Sequence, residues 1–169
     1  MNNIKKIVLT GGPCAGKTTA LVRVIEHFSS LGYKVFTIPE VPTLFTQAGI
    51  NYLTKNQGFF YEGEKATLEI QLALEEQFLR MAQECTKPCL IVCDRGAMDI
   101  SAYMSPDTWE SITRAVGTST PELRERYDAV LHLVSAADGA EQYYTTANNA
   151  QRYEQMNEEW MTYLRQLIA

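Results

Sequence analysis

The sequence predicts an α/β fold of three layers, with helices on both faces of a parallel sheet of four strands, or five. Three observations carry this. Short apolar runs rich in β-branched residues recur along the chain, helical patterns lie between them, and the first run opens onto a glycine-rich turn. The runs are nearly continuous in apolarity rather than alternating, the pattern of strands covered on both faces. Strands that alternate with helices in this way are joined by right-handed crossovers.

Ile4–Thr10 (IKKIVLT) is the first strand. A helix over 16–31 follows, with Leu21, Val24, Ile25 and Phe28 at helical spacing and Gly32 behind it as a cap. Residues 33–38 (YKVFTI) form the second strand and residues 42–48 a short helix. The long pattern over 62–85 places Ile70, Leu74, Phe78, Met81 and Cys85 in one stripe, which predicts the buried face of a long helix. Residues 89–93 (CLIVC) are the third strand and residues 129–134 (AVLHLV) the fourth. Between them, 106–116 and 121–127 read as helices with proline in the first turn. A helix over 151–167 closes the chain, striped by Met156, Trp160, Tyr163, Leu164 and Leu167. Sheets of this type commonly carry a fifth strand after the last helix. Either this sheet has four, or the chain is a piece of a longer protein.

No repeat, low-complexity tract or linker divides the 169 residues, which predicts a single domain over 1–169. With 46% hydrophobic and 21% charged residues the composition is that of a soluble globular protein, and a net charge of −5 argues against nucleic-acid or anionic-membrane binding. No apolar run approaches the ~20 residues of a membrane span. The start enters a strand without signal-peptide architecture, so a cytoplasmic location is expected. The cysteines at 14, 85, 89 and 93 make neither CxxC nor CxxH and read as reduced thiols. His27 and His132 fall in a helix and an apolar strand, where packing accounts for them.

Gly11-Gly12-Pro13-Cys14-Ala15-Gly16-Lys17-Thr18 matches G-x-x-x-x-G-K-[ST] between a strand and a helix, the context that pattern requires. The glycines let successive N–H groups turn into one anion-sized hollow, and the helix N-terminus adds partial positive charge. Lys17 is a cation for the β- and γ-phosphates, Thr18 can ligate Mg²⁺, and Thr19 can reach the α-phosphate. Cys14 lies among the variable positions near the helix N-terminus, a place that lowers a thiol pKa. This loop is predicted to hold a nucleoside triphosphate, ATP or GTP.

The strand ends bear on what happens to that triphosphate, because ligands of such sheets sit beyond the carboxyl ends of the strands. The third strand runs into Asp94-Arg95-Gly96. Asp94 is placed as a Mg²⁺ partner and Arg95 as an anion clamp. The second strand runs into Glu40 between two prolines, where a carboxylate can accept the proton of an attacking hydroxyl. TTANNAQRYE, at 145–154, carries Arg152 on a lid-like segment able to stabilise charge during transfer. NKxD-like, arginine-rich and coiled-coil signals are absent, which disfavours a Ras-type switch or a DNA-handling motor.

Taken together, IVLTGGPCAGKTT, the Glu40 of IPEVPT, IVCDRGAMD and NNAQRYE resemble the NadR-like P-loop AAA-domain family, which includes TRPL translocation defect protein-like domains. The resemblance implies the nucleoside/nucleotide kinase type of P-loop fold, ATP or GTP on residues 11–19, and Mg²⁺ near Thr18 and Asp94. By analogy with deoxyribonucleoside kinases it implies Glu40 as base, Arg95 as clamp and Gln71 facing an acceptor base. The expected function is a small-molecule, nucleoside-like kinase. The alternative is a regulatory nucleotide-binding NTPase module without an acceptor. In the first case the stretch from Val41 to Tyr61 supplies the acceptor pocket, with Phe59, Phe60 or Tyr61 stacked on a base or else packed in the core.

Overall fold

The computed structural model describes residues 3–11 and 15–133. Gly12, Pro13 and Cys14 of the loop, the closing helix with Arg152, and any fifth strand lie outside them.

Four parallel strands form the sheet: β1 (Ile4–Gly11), β2 (Lys34–Ile38), β3 (Cys89–Asp94) and β4 (Ala129–Leu133), in the order β2-β3-β1-β4. Register pairs Ile4 with Cys89 and Leu9 with Asp94, so β1 and β3 end side by side. Helix α1 (Lys17–Ser30) links β1 to β2. Helices α2 (Val41–Gln47) and α3 (Gln57–Gln83) link β2 to β3. A 3-10 helix (Ala97–Tyr103), α4 (Pro106–Val116) and α5 (Thr120–Arg124) link β3 to β4.

Strand side chains point alternately to the two faces, and each face has its own core. Ile7, Leu9, Leu90, Val92, Leu131 and Leu133 pack against Ala20, Val24 and Phe28 of α1. Val8, Ile38, Cys89, Ile91 and Cys93 pack against Leu74, Phe78 and Ala82 of α3. A satellite core joins Leu68 of α3 to Ile100, Trp109, Ile112 and Leu123. The chain thus leaves β1 toward one face and β3 toward the other. The crevice between their carboxyl ends is a topological switch point, where ligands of open α/β sheets bind.

Most expected elements stand, with ends moved by a residue or two. Four differences matter. First, α3 starts at Gln57, capped by the Asn56 side chain, which accepts the Phe59 N–H at 3.2 Å. Second, the segment after Gly96 folds into a 3-10 helix that the periodicity did not predict. Third, His132 is exposed, because its neighbours Leu131 and Leu133 take the α1 face. His27 is half-buried and meets the Phe28 ring edge-on at 5.3 Å.

The fourth concerns the inward face of α3. Met81 of the expected apolar stripe is exposed, while Glu64, Thr67, Leu68, Gln71 and Glu75 are buried. Residues three, four and seven apart share a helix face, so the buried line of this half-helix is mostly polar. Glu75 is fully buried and wholly satisfied. One carboxylate oxygen accepts from Lys6 Nζ at 2.7 Å and Arg126 Nε at 3.0 Å. The other accepts from Tyr127 Oη at 2.7 Å and Gln71 Nε2 at 3.0 Å. Burial pushes the Glu75 carboxyl up, but the Lys6 charge and these hydrogen bonds outweigh it and hold the group below its ordinary 4.5.

Removing one partner of such a group strands the rest. Glu75→Ala leaves Lys6 and Arg126 facing each other across a void, and should cost about 3–5 kcal/mol in urea denaturation. A loss under about 1 kcal/mol would mean that the network acts like a solvated surface pair.

Candidate functional site at the carboxyl edge of the sheet

The phosphate-loop sequence sits where the sheet needs it. Gly11 has φ 139°, and a Cβ there would overlap the Leu133 carbonyl oxygen of β4. Only glycine lets β1 run this close to β4 at its end. Gly16, at φ 79°, turns the chain into the first turn of α1, and Lys17 reaches back so that Nζ donates to the Gly11 carbonyl at 2.9 Å. Ala15 and Gly16 are half-buried, and the Thr18 and Thr19 side chains are exposed beside them. Gly16, at the N-cap of α1, offers no side chain to cap it.

Across the crevice, Asp94 is the last residue of β3. Its Oδ1 is buried without a hydrogen-bond partner, the one such side-chain atom among the described residues. Burial pushes the Asp94 carboxyl above its ordinary range. The Glu40 charge adds to this, while Lys17 and Arg95 pull the other way. An orphaned carboxylate oxygen within the influence of the Lys17 charge suits a divalent cation that also draws on phosphate oxygens, and Thr18 presents an exposed hydroxyl at the start of α1. Thr18 and Asp94 therefore fit Mg²⁺.

Arg95 has φ 69°, the one non-glycine residue at positive φ among those described. Two bonds hold this conformation: its N–H donates to the Leu9 carbonyl at 3.0 Å, and its carbonyl accepts from Gln71 Nε2 at 3.4 Å. The turn aims the guanidinium at β2, where Nε donates to Glu40 Oε1 at 2.5 Å. Glu40 Oε2 accepts from Thr43 Oγ1 at 3.0 Å, so both Glu40 oxygens are engaged. Glu40, distant in sequence from the adjacent pair Asp94 and Arg95, thus converges with them and Lys17 on one edge.

Asp99, on the 3-10 helix, is a site residue the sequence reading missed. Its Oδ2 accepts the Gly96 N–H at 2.7 Å, its Oδ1 accepts from Thr10 Oγ1, and Arg95 Nη1 lies 3.8 Å away. It clasps the ends of β1 and β3 together. The signal was present as Gly96-x-x-Asp99, the spacing of a helix-start box in which a carboxylate returns to a backbone N–H. Gly96 itself has no room for more, since a Cβ would lie 2.9 Å from Val8 Cγ2.

Beside this edge lies a cavity of about 160 Å³, between the first half of α3, the 3-10 helix and the Glu40–Pro42 corner. Arg95, Glu40 and Asp99 form one end, while Glu64, Thr67 and Gln71 form the α3 wall. Of the stretch 41–61, Val41, Pro42, Tyr52 and Leu53 line the cavity. Phe59, Phe60 and Tyr61 do not, because the early start of α3 carries them past it. Phe59 is exposed, and Tyr61 packs toward α4, with its hydroxyl 3.1 Å from Ser111 Oγ. The aromatic rings lining it are Tyr103 and Tyr52, the latter seated on α3 by Gly63, where a Cβ would overlap its ring. Gln71 lines the cavity as well. Glu64 was missed because a helical glutamate reads as solvated.

Glu64 is 2% exposed, and burial raises its pKa to about 7. The folded protein therefore holds a proton that the unfolded chain loses near 4.5, and stability falls as pH rises from about 4.5 to 7. Glu64→Gln should flatten that fall in Tm against pH, gaining up to about 3 kcal/mol at pH 8 relative to pH 4. A parallel profile in the variant would show that Glu64 ionises freely.

No helix among the described residues is long and apolar enough to cross a membrane. A family model described as an AAA domain matches residues 6–169. No curated protein matches the chain.

Proposed function

From the premise that the chain belongs to the AAA-domain family and is a nucleotide-binding P-loop protein, we propose that it is a small-molecule kinase. ATP or GTP is the donor and a nucleoside-like hydroxyl compound the acceptor. The observation that supports this reading is the cavity: a second concave site has Arg95 and Asp99 at one end, the two residues that also stand at the edge where β1 and β3 finish. A protein that only bound and hydrolysed nucleotide has no need of a second site.

In this reading the stretch Gly11, Gly12, Pro13, Cys14, Ala15, Gly16, Lys17, Thr18 and Thr19 holds the phosphates, through the backbone N–H groups of every residue in it except Pro13, which has none. Lys17 neutralises charge at the β- and γ-phosphates. Thr18 and Asp94 would hold Mg²⁺, which when bound would screen the phosphate oxygens. The acceptor oxygen bonds to the γ-phosphorus as the bond to the β-bridging oxygen breaks. Glu40 takes the hydroxyl proton, and Arg95 shifts its grip toward the transferring group. Arg152, which lies outside the described residues, is proposed to neutralise the same charge.

Incubation with γ-labelled ATP or GTP and a panel of nucleosides and hydroxyl-bearing vitamins tests the reading. Label should appear in an organic acceptor well above the water background. Label in inorganic phosphate alone, across the panel, would instead support the regulatory NTPase module. Glu40→Gln should keep nucleotide affinity within about twofold and lose transfer by roughly 10²–10⁴. Lys17→Ala should weaken nucleotide binding itself, read by fluorescent-nucleotide titration.

A further inference from the structure

The polar atoms of the α3 wall can be accounted for one by one. The Thr67 hydroxyl donates to the Gly63 carbonyl at 2.8 Å, which uses its single proton. The Tyr52 hydroxyl, 3.1 Å from Thr67 Oγ1, must therefore be the donor in that pair. Gln71 spends its amide nitrogen on two acceptors, Glu75 Oε1 and the Arg95 carbonyl. That leaves Gln71 Oε1 toward the cavity. Glu64 lines the cavity and is buried, with no hydrogen bond to any described residue. What this wall offers a ligand is acceptors: Glu64, Gln71 Oε1 and the lone pairs of Tyr52.

Charge points the same way. The groups around the cavity are three carboxylates, Glu40, Glu64 and Asp99, and one guanidinium, Arg95. Arg95 is taken by Glu40 and, more distantly, by Asp99. Glu64 has no counter-charge, and its neighbours Tyr52 and Tyr103 bring none. A buried carboxylate without a partner costs stability and is retained where a ligand supplies the partner. The volume is close to the ~150 Å³ that accepts a benzene-sized ring.

We propose that Glu64 is the specificity residue of this cavity, and that it takes a cationic, N–H-bearing planar group of the bound molecule: an amidinium, a protonated amino-heterocycle or the like. Gln71 Oε1 receives a second N–H, while the apolar rim covers the ring faces. This deepens the acceptor-site reading and rests on the cavity being a ligand site. Glu64 is a binding residue and takes no part in transfer, which belongs to the Arg95 end.

Binding of simple probes separates the two questions. Titration calorimetry of the full chain should show benzamidinium at least tenfold tighter than neutral benzamide, with benzoate not binding. At pH 6, runs in two buffers of different ionisation enthalpy should show proton release with benzamidinium, as Glu64 gives up its proton to pair. Glu64→Gln should abolish both the cation preference and the proton release; its unfolding transition checks that it is folded. Equal affinity for cation and amide in the native protein would overturn the proposal, and so would a cation preference that survives in Glu64→Gln. Failure of phosphoryl transfer to every acceptor would not touch it, since no step of this test involves nucleotide.

Discussion

The carboxylate of Glu75 sits at the centre of the molecule, and the geometry of the candidate site descends from it. Through Lys6 it is tied to β1, through Arg126 and Tyr127 to the approach to β4, and through Gln71 to the turn after β3. Tyr127 passes the connection on, because its hydroxyl also accepts the Ala97 N–H at 2.8 Å. Four segments that meet nowhere in sequence are held by one fully buried group. Hydrogen bonds are directional where apolar contacts are not. Packing alone would bring these segments together, and the network sets the angle at which β3 turns.

The two faces of the sheet show what this requires. Helix α1 meets the sheet through apolar side chains such as Val24 and Phe28. Helix α3 meets it with a polar line along half its length, and the cavity and the Arg95 turn lie on that side. The apolar face supplies cohesion. The polar face supplies position, and it does so close to the residues whose distances matter.

Much of this was legible in the chain and some was not, for physical reasons. The strands announce themselves because both faces of each are covered, so their residues are apolar without interruption. The loop is legible because its glycines answer backbone constraints that few residues can meet, as Gly11 against Leu133 shows. Glu40, Asp94 and Arg95 follow from standing at strand ends. Glu64, Gln71 and Glu75 resist the same reasoning, because the stripe rule finds buried faces by apolarity. Their burial is made tolerable by partners tens of residues away, such as Lys6 and Arg126, or by a cavity that no local pattern encodes. Asp99 was hidden in a segment too short for periodicity. Tyr52 was passed over for Phe59–Tyr61 because an aromatic cluster draws attention that a lone ring does not.

Arg95 carries a tension of its own. Its left-handed backbone costs about 1–3 kcal/mol for a residue with a Cβ, and glycine would relax it. Yet glycine would delete the guanidinium that meets Glu40. Selection for durability and selection for chemistry thus ask for different amino acids at one position. Where β3 turns, this chain gives up some of its own folding free energy to keep a charged side chain aimed across the crevice. Relatives that had lost any use for that charge would be free to drift toward glycine there, so the residue at this position records whether the edge is still at work.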